Sequence, residues 1–144
     1  MSPGDWDRLR EAVQVAIVGF EPRIHTLWLY GSRAMGTENE ESDFDFAVAS
    51  DRRLESPERM DLFRRLGDVL DSVNLGWNDI DAVDLQAVPL TLAAQVLTYG
   101  KVLFCSDDRA RAFLETRLMS MYASLNEERR EVIEAIVERG RIYA

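Results

Sequence analysis

Two aspartates on alternate positions of an apolar run, Asp43 and Asp45, constrain this chain more than any other feature. Residues 43–49 read as a β-strand, and residues i and i+2 of a strand project to the same face. Asp43 and Asp45 therefore enter one site side by side. Aspartate is depleted in strands, and an apolar strand seldom accepts two on one face. Carboxylates that close repel unless a cation lies between them or one takes a proton. Carboxylate ligands suit Mg²⁺, which shares its shell with substrate phosphates. The simpler alternative is a solvent-facing strand surface on which both acids are hydrated.

With ten residues between it and Asp43, the pair Gly31-Ser32 ends another apolar run, residues 26–30. A residue without Cβ lets the backbone turn and approach a phosphate closely. Ser32 adds a hydroxyl and an N–H, both good phosphate partners. Residues 32–35 read as a helical turn whose N–H groups favour an anion, and Arg33 can add a cation. A plain strand-ending turn is the ordinary reading of Gly-Ser taken alone. No Lys-Ser/Thr follows at the distance a P-loop requires.

A third carboxylate strengthens the metal reading. Asp81 lies in another apolar run, residues 79–85, so three acids can converge from two strands. Three acids around one or two Mg²⁺ ions suit two-metal phosphoryl or nucleotidyl transfer, with Asp81 on the side of the attacking group. Asp79 and Asp84 compete for that role. Asp79 sits at the strand entrance, and Asp84, three residues on, points to the opposite face of a regular strand. Glu38, Glu40 and Glu41 read as a solvated loop.

The remaining pattern predicts a small α/β domain with strands at 26–30, 43–49, 79–85 and 101–105, helices on one side, and a helical C-terminus. Asp5 is expected to cap a first helix running to about residue 18. Ser56-Pro57-Glu58 has the form of a helix start, with a cap, proline at the first position and an early acid. Pro89 begins a helix that ends near Tyr99-Gly100. Ser106-Asp107-Asp108 starts a helix to about Ser124. Asn126 is expected to cap a last helix over 127–139, with Val132, Ile133, Ile136 and Val137 on its apolar side. No internal repeat or linker is visible, so residues 1–144 are read as one domain, with a catalytic core at about 25–105 and C-terminal helices at about 107–140.

Composition sets limits on partners. The chain has 144 residues, 47% of them apolar, enough for a core of ordinary size. The formal net charge of −9 disfavours an extended nucleic-acid surface, which needs a basic footprint. It is compatible with a phosphorylated ligand held through Mg²⁺ and with a basic protein partner. No apolar stretch is long enough to span a membrane, and the start lacks the basic-then-apolar pattern of a signal peptide. The single cysteine, Cys105, makes no internal disulfide. A cytoplasmic location is the expectation. With one histidine and one cysteine, a structural zinc site is not expected.

Gly31-Ser32-Arg33-Ala34, the ten-residue spacing, and Ser42-Asp43-x-Asp45 together resemble the DNA-polymerase-β-like nucleotidyltransferase superfamily. Within it the chain is similar to the minimal nucleotidyltransferases (MNT, or MntA-like, antitoxins). Its short length supports this, as does Ile80-Asp81-Ala82-Val83-Asp84-Leu85 followed by Pro89, a helix, and Gly100-Lys101-Val102-Leu103-Phe104. The resemblance covers residues 25–105 well and the C-terminal helices loosely. It implies a mixed sheet of about four strands packed by helices, the polymerase-β-like palm. It implies nucleotide binding by Gly31, Ser32, Arg33 and Ser42, and two Mg²⁺ ions on a catalytic triad of Asp43, Asp45 and Asp81. It further implies a protein adenylyltransferase that moves AMP from ATP to a tyrosine of a partner HEPN-domain RNase. Such a protein is the antitoxin of a type VII toxin–antitoxin system. The toxin's Arg-x4–6-His signature is absent, since His25 follows Arg23 too closely. Met35 stands where a basic residue is frequent, and Phe46 where leucine is. Two alternatives are a non-catalytic module that neutralises its partner by contact, and a nucleotidyltransferase acting on a small molecule.

Other residues carry blander readings. His25 is expected before the first strand as a surface or loop-packing histidine, with contact to the nucleotide the less favoured role. Cys105 reads as a small buried residue, and Trp28, Trp77 and Phe104 as core. Met119, Met121, Tyr122 and Leu125 form an apolar cluster suited to core or to a partner. The run Glu127-Glu128-Arg129-Arg130-Glu131 reads as a solvated helix face.

Overall fold

The computed structural model describes residues 1–37, 43–75 and 80–143, the last three by backbone alone. Helix α1 (Pro3–Ile17) begins with a reciprocal cap. The Ser2 hydroxyl accepts from the Asp5 N–H at 3.2 Å, and the Asp5 carboxylate accepts from the Ser2 N–H at 3.1 Å. The cap is thus Ser2, with Asp5 completing a capping box from within the first turn, where the sequence suggested Asp5 as the cap itself. Strand β1 (Ile24–Tyr30) is followed by the single turn α2 (Ser32–Met35) and by β2 (Phe44–Ser50). Helix α3 (Ser56–Ser72) is capped by Glu55, one residue earlier than expected, and Glu58 returns the cap's hydrogen bond. Strand β3 (Ile80–Asp84), helix α4 (Leu90–Tyr99) and strand β4 (Lys101–Cys105) follow.

The C-terminal region is one continuous helix, α5 (Asp108–Tyr143), 36 residues long, in place of the two helices expected. Asn126 caps a helix only where the chain has already left helical geometry. Its surroundings are leucine, alanine, glutamate and arginine, with no proline or glycine to break the run. No helix among the described residues is long and apolar enough to cross a membrane.

The sheet is mixed, in the order β3-β2-β1-β4, with β1 antiparallel to β2 and β4, and β2 parallel to β3. Helices cover both faces, not one. Leu27, Leu29, Phe46 and Val48 pack against α1 and α3 on one face. Trp28, Ala47 and Ala49 pack against α4 and α5 on the other. Strict alternation along β1 and β2 produces this division, because nearly every residue of both strands is buried. The reading from sequence assigned the apolar strands only one covered face. Strands buried on both sides lack the apolar–polar alternation that would have distinguished the two cases.

Candidate active site

The registers of the sheet set out the site row by row. On the α4–α5 face, Trp28 of β1 stands opposite Ala47 of β2, which stands opposite Val83 of β3. That row is apolar and belongs to the core. The next row on the same face is Tyr30, Asp45 and Asp81. One step along the pleat, this side of the sheet changes from core to a carboxylate, Asp45, flanked by the Tyr30 phenol and the Asp81 carboxylate. Tyr30 closes β1, while Asp45 and Asp81 lie near the starts of their parallel strands. All three therefore meet at one end of the sheet.

Asp43 immediately precedes β2, which begins at Phe44, one residue later than expected. Asp43 and Asp81 are exposed and Asp45 is half-buried. Burial, reinforced by the charges of Asp81 and then Asp43, raises the proton affinity of the Asp45 carboxyl. The same burial, with Asp81 and Asp45 nearby, pushes the Tyr30 phenol up to about 12. Negative potential from three carboxylates thus converges on the middle strand.

Gly31 follows Tyr30 with φ 76° and ψ −158°, a backbone region open essentially to glycine alone. A Cβ at this position would overlap Oδ2 of Asp45. Gly31 is therefore small for two reasons, the turn and the carboxylate directly behind it. Its carbonyl accepts from the Met35 N–H at 3.2 Å, and the Ser32 carbonyl accepts from the Thr37 N–H at 3.0 Å. These bonds hold α2 as a closed turn. Gly36 then leaves it in the left-handed region.

Arg33 is 8% exposed, and its guanidinium carbon lies 4.1 Å from the centroid of the Phe44 ring. Phe44 belongs to the α1–α3 core, on the face opposite Asp45. The Arg33 cation thus seats α2 on β2, an attraction of the cation–π kind. Ser42 and Asp79 lie outside the described residues, as do Trp77, Glu38, Glu40 and Glu41.

The other carboxylate of β3, Asp84, is 2% exposed and takes a structural part. It accepts from the Leu54 N–H at 2.8 Å and the Gln86 N–H at 2.9 Å, joining the entry to α3 to the turn after β3. Its face is opposite that of Asp81, as the three-residue offset requires. His25 lies within β1 and is buried, where a loop or surface position was expected. Its Nδ1 is 2.7 Å from the Thr26 hydroxyl, which donates to Cys105 Sγ at 3.7 Å. Five residues of strand, roughly 17 Å, separate it from Tyr30. Tyr30 itself was read from sequence only as the end of a strand. Its alternation with Trp28 was the signal that it faces the carboxylates.

Among the described residues no three acidic, histidine or cysteine side chains form a ready-made metal cage. The donor set nevertheless fits Mg²⁺, which takes one or two carboxylates and completes its shell with water and substrate phosphates. The raised proton affinity of Asp45 marks a position where added positive charge relieves repulsion.

The fold has counterparts among known proteins. Residues 15–109 match the family described as Polymerase beta, Nucleotidyltransferase. The chain is 33% identical over 116 residues to the protein adenylyltransferase MntA of Shewanella oneidensis, covering 81% of this chain and 78% of that relative. It is similar to a solved toxin–antitoxin structure with AMP-PNP, with TM-score 0.71, 29% identity and coverage of 89% of this chain and 98% of the other. It is also similar to a chain from a complex of tri-AMPylated Shewanella oneidensis HEPN toxin with MNT antitoxin, with TM-score 0.69, 25% identity, and coverage of 92% and 98%. Nucleotidyltransferases of this kind generally work with a divalent metal. With the sheet, the glycine turn and the carboxylate row in place, the chain belongs to the polymerase-β-type nucleotidyltransferase family.

Proposed function

We propose that this protein transfers AMP from ATP to a tyrosine hydroxyl of a HEPN-domain toxin and so acts as its antitoxin in a type VII system. The observation that carries the reading is the row Tyr30–Asp45–Asp81, with Gly31 backed directly against the Asp45 carboxylate. Gly31 and Ser32 offer backbone N–H groups and a hydroxyl to the triphosphate at the end of β1. Arg33, seated on Phe44, keeps that turn against the strand bearing the acids. Asp43, Asp45 and Asp81 would hold two Mg²⁺ ions, which when bound would supply positive charge against the negative charge that develops on the phosphate oxygens. Asp81, exposed on the edge strand β3, would lie nearest the attacking hydroxyl.

In the transfer, the acceptor oxygen forms a bond to the α-phosphorus. The bond from that phosphorus to the oxygen bridging to the β-phosphate breaks, and pyrophosphate leaves. The acceptor's proton passes to the Asp81 carboxylate and then to water. Tyr30 stays protonated at neutral pH, as an ordinary phenol does, and burial holds its proton more tightly still. A cytoplasmic setting, where ATP and the toxin are both present, suits this chemistry.

The deciding experiment is incubation with α-labelled ATP, Mg²⁺ and the Shewanella oneidensis HEPN toxin. Label on the toxin, absent with Asp43→Ala or Asp45→Ala, is the expected result. A second reading, neutralisation by contact alone, draws on the distal half of α5, where Val132, Ile133, Ile136 and Val137 are 48–61% exposed. Unlabelled toxin that is still neutralised by both aspartate variants would favour it.

A further inference from the structure

At the end of β1 far from Tyr30 the strand carries a bulge. Ile24 stands opposite Ser50 and Thr26 opposite Ala49, so β1 advances two residues while β2 advances one. The extra residue is His25. A regular strand would set it beside Leu27 and Leu29 on the α1–α3 face. A bulge re-aims a side chain, and His25 instead lines a cavity of about 240 Å³ beside α5. Buried Ser50, half-buried Gln86, and exposed Phe113 and Arg117 line it too.

His25 is 4% exposed, and its two ring nitrogens differ in what they meet. Cys105 Sγ donates to the Asp108 carboxylate at 3.4 Å, and the Thr26 hydroxyl donates to Cys105 Sγ at 3.7 Å. An ionised carboxylate can only accept, which sets the direction of the whole chain. Thr26 Oγ1 has its proton committed to the sulfur, so it accepts from His25 Nδ1, 2.7 Å away. Nδ1 therefore carries the ring proton, and Nε2 keeps a lone pair with no partner among the described residues. Burial, and after it the Arg23 cation, holds the ring's proton affinity below that of an ordinary imidazole, against the pull of Asp51 and Asp107. Gln86 is anchored in the same manner. Its Nε2 donates to the Ser50 carbonyl at 2.9 Å, which leaves Oε1 as a second acceptor. Asp51 is taken up by Arg23, whose Nη2 and Nε donate to it at 2.9 and 3.1 Å. Arg117 pairs with no carboxylate among the described residues.

We propose that this cavity is a second ligand site, separate from the carboxylate row, that takes the base of a free guanine mononucleotide. The base edge of guanine places two donors side by side, N1–H and the exocyclic N2 amine. They answer two anchored acceptors, His25 Nε2 and Gln86 Oε1. Adenine alternates a donor with an acceptor along its edge and leaves one of the two protein acceptors unmet, which is how a hydrogen-bonding site rejects a near-isostere. The Phe113 ring, 72% exposed, offers a stacking face at the mouth. Arg117 stands one turn further along α5 and supplies the cation for the phosphate. The cavity is smaller than the roughly 300 Å³ at which drug-sized sites begin, so the base enters and the phosphate stays outside, on the exposed side where Arg117 lies. A net charge of −9 favours a free nucleotide over a polynucleotide here.

His25 is the sole histidine, so one imidazole reports the site. The test is a long-range proton–nitrogen correlation spectrum of the full chain, with Mg²⁺ and AMP-PNP present to fill the carboxylate row. The ring is expected to carry its proton on Nδ1, and GMP should move the Nε2 resonance. AMP should bind about tenfold more weakly than GMP, and so should guanosine, which lacks the phosphate. Arg117→Ala, a change at an exposed residue, should lower GMP affinity to that of guanosine and leave guanosine unchanged. Gln86→Met should erase the preference for GMP over AMP. A proton on Nε2, an Nε2 resonance that millimolar GMP leaves in place, or equal responses to GMP and AMP overturns the proposal. So does an Arg117→Ala protein that binds GMP as the parent does. A GMP response that disappears when AMP-PNP is added places the nucleotide at the carboxylate row and overturns it as well. A short RNA ending in guanine that moves Nε2 where GMP does not replaces the free nucleotide with a polynucleotide and overturns it too.

Discussion

The carboxylate of Asp45 fills the space that a Cβ on Gly31 would need. The proposed phosphate turn and the proposed metal strand are thereby locked together at van der Waals distance. Gly31→Ala places a side chain in a glycine-only backbone region and pushes Asp45 aside. We expect a stability loss of about 1–3 kcal/mol from the backbone strain. Transfer activity should fall by about a hundredfold, since a displacement near 1 Å suffices for that. Thermal melts and label transfer measured on one preparation check both effects.

Asp45 should cost the fold stability in exchange for its role. Its folded-state pKa is raised by burial and by Asp81 and Asp43, so its ionised form is less favourable folded than unfolded. The penalty is fully present above the folded pKa and vanishes as pH falls below the unfolded value. Asp45→Asn is therefore expected to raise Tm at pH 7 in EDTA, with the gain shrinking toward pH 3. Mg²⁺ and ATP should stabilise the parent but not the variant. Calorimetry across pH, with and without Mg²⁺, tests the sign.

Two aspartates three residues apart on β3 should fail in opposite ways. Asp84 satisfies the N–H groups of Leu54 and Gln86 while itself buried. Asp84→Ala leaves both donors unmet and should cost about 2–4 kcal/mol, seen as a lowered urea midpoint. Asp81 is exposed, and Asp81→Ala should leave the urea midpoint close to that of the parent. Its label transfer should drop by at least about a hundredfold, in keeping with loss of transition-state electrostatics.

The two halves of α5 should respond differently to the same kind of change. Leu114 and Leu118 are buried under α4, and replacing either by alanine should cost about 2–4 kcal/mol. Ile133 and Ile136 are both 61% exposed. Ile133→Gln and Ile136→Gln should shift stability by no more than about 0.5 kcal/mol. Denaturant titration of the four single variants separates the anchored half of the helix from the free one.

Local chemistry explains what was legible in the sequence. Aspartates at i and i+2 of an apolar run are expected to share a face, because the period of a strand is two; Asp45 stands on β2, and Asp43 immediately precedes it. The Gly31-Ser32 break, the capping pattern near Ser56 and the helix from Pro89 depend on short-range backbone preferences. Each stands close to its expected place. The offset between Asp81 and Asp84 predicted their opposite faces. Only the tertiary structure decided which row of the sheet would be core and which would be site, since that depends on registers between strands distant in sequence. It paired Asp45 with Asp81 and with Tyr30, and set Gly31 against the carboxylate. It turned Arg33 onto Phe44 and covered both faces of the sheet with helices. It also continued one helix through Asn126 and left the aliphatic residues of its distal half exposed. These outcomes rest on burial and packing between separate segments, which the order of residues along the chain does not display.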